Sequence, residues 1–159
     1  MSYRFDVVRM DVLCVIRKGR RPASKPTAGK YPFVTTAEKL GTADGWDYEG
    51  EAICIPLVSS TGHGHASLNR VTYINGKFAA ASIVAVLQVK APDRILPRYL
   101  YYLLQTHKEQ LLVAQMRGSA NKALSLKKIG AVSVPVPPLQ EQERLTQRVL
   151  DLDRGLTEL

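Results

Sequence analysis

The sequence has little cysteine and no long hydrophobic run, and each absence excludes classes of protein. Its two cysteines, Cys14 and Cys54, stand in apolar stretches, which predicts buried free thiols in a reducing compartment rather than a disulfide framework or a metal site. No stretch approaches the roughly 18 consecutive apolar residues that span a bilayer. Residues 1–6 lack the apolar core of a signal peptide. We therefore expect a cytoplasmic protein with no membrane partner.

Acidic residues are also scarce. The chain has 14 Asp and Glu against 22 Lys and Arg, which gives a formal net charge of +8 and a pI of about 9.7. Such a balance points to a polyanionic partner. Aromatic residues make up only 7% of the chain, so a base-stacking platform for single-stranded RNA has little support.

Catalytic motifs are absent or incomplete. A P-loop would need a glycine where Val71 stands, and Val136-Pro-Pro-Leu139 lacks both the amide and the aromatic residue of an adenine methyltransferase motif. The histidines of Gly62-His-Gly-His65 have no partners at metal-ligand spacing, and its glycines do not complete a dinucleotide-binding loop. We predict that the chain is not an enzyme and holds no cofactor or metal.

Hydrophobic periodicity predicts both strands and helices along the chain. A short helix is expected over Arg9 to Arg17, and a longer one starts at Pro97 and ends before Gly118. Residues 41–50 are predicted to form a loop. The remaining predictions are strands over Tyr31 to Val34, Glu51 to Val58, Ser82 to Val89 and Val132 to Val136, and one helical turn over Leu126 to Ile129.

Two turn signals stand out in the middle of the chain. Asn75-Gly76 predicts a hairpin in which Val71 to Ile74 pairs with Lys77 and Phe78. A threonine-capped helical turn is expected over Thr35 to Glu38.

The spacing of apolar residues changes after Pro137-Pro138. Apolar residues then recur in alternating steps of four and three, which is the spacing of a coiled-coil seam. We therefore divide the chain into a domain over residues 1–137 and the start of a spacer or dimerisation helix over residues 138–159. The predicted partner-facing positions on this helix are Leu145, Val149, Leu152 and Leu156.

Three stretches, taken together, resemble the specificity subunit of type I restriction-modification enzymes and the similar domains fused to some N6-adenine methyltransferases. Lys18-Gly-Arg-Arg-Pro22 is similar to the Gly-x-x-Pro turn that opens a target-recognition domain. The segments 58–65 and 76–82 resemble the glycine loop of that family and the strand entry after it. The third and most specific stretch comprises Arg117–Lys122, Leu126–Ile129 and Val134–Gln142.

The resemblance implies an α+β fold, namely a non-catalytic target-recognition domain with mixed β-structure and a few helices that leads into a long spacer helix. It implies double-stranded DNA as a partner, together with an adenine methyltransferase subunit or domain that would bind S-adenosylmethionine, and a translocase-nuclease subunit for restriction. Typical members carry two recognition domains in tandem, whereas this sequence holds one. A second recognition domain or a homodimer would complete the site; a half-subunit, a fragment and the tail of a fused methyltransferase all stay open.

Three segments without an acidic residue, 17–30, 61–77 and 117–128, carry side chains that suit DNA. Lysine and arginine suit phosphates, while arginine and asparagine suit guanine and adenine edges in the major groove. The predicted DNA-binding residues are Lys18, Arg20, Arg21, Lys25, Lys30, Thr61, His63, His65, Asn69, Arg70, Lys77, Arg117, Ser119, Asn121, Lys122 and Lys127.

The base-reading candidates in this set are Arg20, Arg21, Asn69, Arg70 and Asn121. We expect Arg21→Ala to cost about 1–3 kcal/mol on cognate DNA and to relax one position of the site. The hypothesis requires the cationic loops to meet on one side of the fold. Two other classes of function stay open, namely a protein-interaction module of a DNA-processing assembly and an enzyme with a deep, unrecognised site.

Overall fold

A computed structural model describes residues 5–23, 28–59, 67–118 and 122–157. Its strands are β1 (Asp6–Arg9), β2 (Cys14–Lys18), β3 (Tyr31–Val34), β4 (Gly41–Ala43), β5 (Tyr48–Glu49), β6 (Ala52–Pro56), β7 (Thr72–Ile74), β8 (Lys77–Ala80), β9 (Val84–Val89) and β10 (Ser133–Val136). Its helices are α1 (Met10–Leu13), α2 (Pro97–Thr106), α3 (Lys108–Leu111), α4 (Leu126–Ala131) and α5 (Leu139–Thr157), with a 3₁₀ turn at Val113–Gln115.

The strands form two four-stranded sheets and a two-stranded ribbon. The first sheet has the order β2-β9-β6-β7, and all its pairs are antiparallel. The second sheet has the order β4-β3-β8-β5, with β3 and β8 parallel. In the ribbon, β1 pairs antiparallel with β10. Together with the helices, these sheets confirm the predicted α+β class.

The central strands of the first sheet are buried on both faces. In β6, Ile53 and Ile55 belong to one hydrophobic cluster, while Ala52 and Cys54 belong to the other. Successive side chains of a strand point to opposite faces, so one cluster lies between this sheet and the helices, and the other lies between the two sheets. This double burial explains why residues 52–57 are apolar without alternation.

The two cysteines are buried and free. Cys14 belongs to the cluster on the helix side, and Cys54 belongs to the cluster between the sheets. Burial raises the pKa of each thiol to about 12. The sequence prediction of buried thiols without a disulfide is confirmed.

Two of the predicted elements are wrong because tertiary pairing overrides the local pattern. The helix expected over Arg9 to Arg17 is limited to the single turn α1, since Cys14 to Lys18 pairs with β9 along its whole length. The hairpin at Asn75-Gly76 does not form: β7 pairs with β6 in the first sheet, whereas β8 pairs with β3 and β5 in the second.

The turn itself is present, because Gly76 adopts a φ of 115° that favours glycine. It connects two sheets rather than two paired strands. The backbone of Gly76 exchanges hydrogen bonds of 3.0 and 3.2 Å with that of Gly50, whose φ is 104°. These bonds join the β7–β8 turn to the β5–β6 turn.

Smaller differences concern loops and helix ends. Residues 41–50 contain β4 and β5 instead of being loop throughout. Thr35 accepts a 3.1 Å hydrogen bond from the backbone of Ala37 without starting a helix. The helix that begins at Pro97 is divided into α2, α3 and the 3₁₀ turn. The strands at Tyr31–Val34 and Ser133–Val136 and the helical turn after Ser125 are confirmed.

The described helices include none that could cross a lipid bilayer, since none combines sufficient length with an apolar surface.

Candidate nucleic-acid interface

Four strands, β2, β3, β6 and β8, end on the same side of the fold, and β7 and β9 begin there. In the first sheet, Lys18 of β2 lies opposite Ala85 of β9, which lies opposite Ile55 of β6. The segment before β7 adjoins the end of β6, because Thr72 lies opposite Cys54. In the second sheet, the last residues of the parallel strands β3 and β8 lie side by side, and β8 leads directly into β9. The connecting segments of both sheets therefore meet at one end.

We call this region the basic end and define it by its cationic residues, Lys18, Arg20, Arg70, Arg117 and Lys122. The first two follow from the end of β2, where the backbone of Arg20 donates a 3.0 Å bond to Ala80. Lys122 precedes Ala123 in the sequence, and Ala123 forms antiparallel bridges with both Val58 and Arg117. Ser59 donates a 2.9 Å backbone bond to Lys122, which fixes this segment against the end of β6.

A glycine sets the approach of the two sheets at the basic end. A Cβ atom on Gly19 would lie 1.9 Å from the carbonyl oxygen of Ala81, so any other residue would push the segment away. Next to it, the Tyr48 hydroxyl donates a 2.8 Å bond to the carbonyl of Lys18. The ring of Tyr48 stacks on Phe78 in the core, which anchors Lys18 to the second sheet.

Arg21 forms ion pairs with aspartates of a neighbouring loop. Its Nε lies 2.8 Å from an oxygen of Asp47, and its Nη1 lies 3.0 Å from Asp44. The hydrogen bond to Asp47 is the main cause of a raised pKa of the guanidinium. Segment 17–30 has no acid of its own, yet the fold brings two carboxylates to Arg21. This residue therefore ties the segment after β2 to the loop before β5.

Two arginines of the basic end donate hydrogen bonds to backbone carbonyls. Arg70 Nη1 donates a 2.9 Å bond to the carbonyl of Glu38. Arg117 Nη1 donates bonds of 2.9 and 3.1 Å to the carbonyls of Met116 and Ala114. By contrast, within the part of the chain that the structure describes, the charged groups of Lys18, Arg20 and Lys122 make no such bonds.

Three predicted residues lie away from the basic end. Lys30 and Lys77 lie at the opposite ends of β3 and β8, where their ammonium groups contact the rings of Tyr31 and Trp46 at 5.3 and 5.0 Å. Lys127 lies on α4, in a concavity that Arg9 and Lys90 also line.

Asn69 lies beside Arg70 of the basic end, and its backbone carbonyl accepts a 3.0 Å hydrogen bond from Lys108.

Some predicted residues lie outside the described residues, so their contacts are not part of this geometry. They are Lys25, Thr61, His63, His65, Ser119 and Asn121.

The predicted partner-facing residues of α5 divide along the helix. Leu145 packs against the hydrophobic cluster on the helix side, and Val149 lines a groove with Tyr99 and Tyr102 of α2. Leu152 is 66% exposed. The side chain of Leu156 lies outside the described ones. The first half of the seam thus contacts the domain itself.

The pattern analysis missed the role of Gln142. This side chain is fully buried and is the only buried polar one among the described residues. Its amide bonds to backbone groups of residues 94, 96 and 137. The signal was present in the segment Val134–Gln142, since a glutamine after a proline-rich strand was part of the family resemblance.

Within residues 5–23, 28–59, 67–118 and 122–157, no carboxylate or histidine is buried, and no three His, Cys, Asp or Glu side chains are placed to hold a metal ion.

Comparison with known proteins identifies the family. The model of the type I restriction modification DNA specificity domain matches residues 4–159. The chain belongs to this family. The specificity domain is 24% identical over 162 residues to a Mycoplasma pneumoniae protein that bears the name of a type I specificity subunit, covering 98% of the chain and 50% of that protein.

A second M. pneumoniae protein of that name is 31% identical to the specificity domain over 140 residues, covering 84% of the chain and 36% of the relative. The chain thus spans half or less of the length of these relatives. The fold of the type I restriction-modification S subunit from M. genitalium matches with a TM-score of 0.77 at 18% identity, over 98% of the chain and 40% of that structure. The family that the sequence motifs resembled is thus the family to which the chain belongs.

Proposed function

We propose that this specificity domain recognises one half of a split site in double-stranded DNA through its basic end. The observation that supports the proposal is the meeting of Lys18, Arg20, Arg70, Arg117 and Lys122 where the strands of both sheets end. These cations come from three segments that are distant in the sequence. They could bind one DNA duplex together only if the fold brings the three segments to the same side. Phosphates attract such a cluster at long range.

The cations of the basic end differ in what they can offer DNA. Lys18, Arg20 and Lys122 have charged groups that bond to no described residue, so they are available to phosphates and base edges. Arg70 and Arg117 use some of their N–H groups to donate hydrogen bonds to backbone carbonyls. A guanidinium has five N–H donors, so others remain for DNA. Arg21, held by two aspartates, acts mainly by positioning Arg20.

The assembly around the domain follows from the same reasoning. Residues 1–137 would read DNA, and the segment of residues 138–159, which contains α5, would set the distance to a second recognition domain or a second copy of the chain. The helix would also dock an adenine methyltransferase that carries S-adenosylmethionine, with a translocase-nuclease subunit joining for restriction. The relatives are at least twice as long as the matched region, which supports a second recognition unit. We propose a cytoplasmic location for this assembly.

Selection from a random duplex library tests the proposal. The domain, together with a methyltransferase partner and any second recognition unit, is used to retain bound duplexes, which are then sequenced. We expect a fixed split motif whose enrichment survives competitor DNA. Bound pools without any shared motif would refute sequence-specific recognition.

The variant Arg20→Ala links that motif to the basic end. It should weaken cognate binding more than Lys90→Gln, a matched loss of charge next to the far end of β9, where Val89 lies opposite Cys14. Equal effects of the two variants would show that binding does not involve the basic end.

A further inference from the structure

The buried amide of Gln142 connects two helices. Gln142 lies in the first turn of α5 and is 0% exposed. Its Oε1 accepts a 2.9 Å bond from the backbone of Leu96, the residue that precedes α2. Its Nε2 donates bonds of 2.8 Å to the carbonyls of Arg94 and Pro137. The side chain therefore joins the start of α5 to the start of α2.

The chemistry of this contact requires an amide. Two carbonyls need donors and one N–H needs an acceptor, and a neutral glutamine side chain supplies both kinds of group. A methionine of similar length would leave all three backbone groups without this partner, and a carboxylate could donate to neither carbonyl. The contact is specific for one residue type and fixes the orientation of the amide plane.

Helix α2 carries the connection on to the basic end. At its C-terminal part, Gln105 Oε1 accepts a 2.8 Å bond from the backbone of Val71, next to Arg70. Beyond α2, Lys108 donates a 3.0 Å bond to the carbonyl of Asn69. Ten helical residues span about 15 Å, so α2 acts as a strut between the first turn of α5 and the segment that precedes β7.

We propose that Gln142 is a positioning residue that fixes the direction of α5 relative to the basic end. The consequence rests on the proposed function. One base pair changes the separation of two half-sites by about 3.4 Å and rotates one of them by about 35°. If α5 is held at a fixed angle to the basic end, the assembly binds best to DNA in which the two half-sites have one particular separation.

Distances between two spin labels test the positioning directly. Labels are placed on cysteines introduced by Val58→Cys at the end of β6 and Arg154→Cys on the exposed part of α5. Cys14 and Cys54 are buried with a thiol pKa of about 12, so they react slowly. We expect a narrow distance distribution with Gln142 and at least a doubling of its width in Gln142→Met. An unchanged width would overturn the proposal.

The control is Gln140→Met, which makes the same substitution two residues earlier, at an exposed position. It should leave the distribution as narrow as that of the native chain. Equal broadening in both variants would mean that loss of a glutamine anywhere in the first turn loosens α5, and the role of Gln142 would be refuted.

DNA binding by the complete assembly gives a second measurement, namely the preference for one half-site separation. A loss of stability alone would not change this preference. Using the selected motif, half-site separation is varied by single base pairs. We expect Gln142→Met to lower the discrimination between separations from about tenfold or more to about threefold or less, with affinity for one isolated half-site within about twofold. Retained discrimination would overturn the proposal.

The two proposals fail in different ways. A native assembly without sequence preference would refute the proposed function, while the label distances would still report on Gln142.

If Gln142→Met does not fold, Gln142→Glu is measured under acidic conditions, where a protonated carboxyl restores one donor and the acceptor. It should then regain the narrow distribution. Failure of both variants to fold would show a role in core stability and would refute positioning.

Discussion

At the scale of single residues, the charge of a side chain does not reveal its role at the basic end. Arg20 and Arg21 are neighbours in sequence with equal charge, yet only Arg21 meets aspartates. Those aspartates come from a loop more than 20 residues away, so no local pattern could have separated the two arginines. The fold assigns one to the outside and one to the support of its own segment.

Arg20→Ala and Arg21→Ala should therefore differ in the salt dependence of DNA binding. If Arg20 contacts a phosphate, its removal lowers the slope of log affinity against log salt by about 1. Removal of Arg21 should leave this slope unchanged while it lowers the free energy of unfolding by about 0.5–1 kcal/mol. Titrations at several salt concentrations and urea unfolding measure the two effects.

A double-mutant cycle with Asp47→Asn checks the assignment of Arg21. The double variant should be about as stable as Arg21→Ala alone, since Arg21→Ala already removes the ion pair with Asp47. Additive losses of stability would show that Arg21 is not coupled to Asp47, and a smaller salt slope in Arg21→Ala would show that Arg21 contacts DNA.

At the scale of elements, the turn between β7 and β8 depends on a glycine at Gly76. Gly76→Ala places a side chain at a φ of 115° with no atom within 4 Å of the new Cβ. Because no clash is added, the cost is conformational, and we expect a loss of about 1–2 kcal/mol in the free energy of unfolding. Urea unfolding measures it.

Gly155→Ala is the matched control, since its new Cβ also meets nothing within 4 Å but lies in helix α5. This change should stabilise the helix by up to about 1 kcal/mol, because alanine is the better helix former. Equal effects at both glycines would mean that the φ of Gly76 carries no cost.

The elements also show which parts of the fold the sequence could predict. Residues 52–56 and 84–89 are strands because their apolar runs must be buried on both faces, and that pattern is local. By contrast, Ile74 of β7 and Phe78 of β8 both lie in the cluster between the sheets although their strands belong to different sheets. A short sequence window does not contain this arrangement. The convergence of Arg20 and Lys122 was likewise a hypothesis until strand register placed both at one end.

At the scale of the whole molecule, the predicted seam of α5 is partly buried in its first half and exposed at Leu152. Leu145 packs on the core, whereas Leu152 is 66% exposed. We expect Leu152→Asp to weaken association with the methyltransferase or a second recognition unit by at least about tenfold, since the charge would be buried in that interface. Sedimentation of the mixed proteins measures the association.

The same variant should leave the thermal midpoint of the isolated chain and its half-site affinity unchanged, because Leu152 is exposed and lies far along α5 from Gln142. Unaltered association would place the partner surface elsewhere. A lowered thermal midpoint would show that Leu152 belongs to the packing of the domain.

The double burial of β6 and β9 separates stability from recognition. The apolar side chains that hold the sheets together sit along the middle of these strands, and the lysines and arginines of the basic end lie at or beyond the strand ends. Arg20 is exposed, so replacing it removes no packed surface. New target preferences could be acquired through such exposed positions one substitution at a time, while Gly19, whose neighbours leave no room for a Cβ, keeps the supporting frame unaltered.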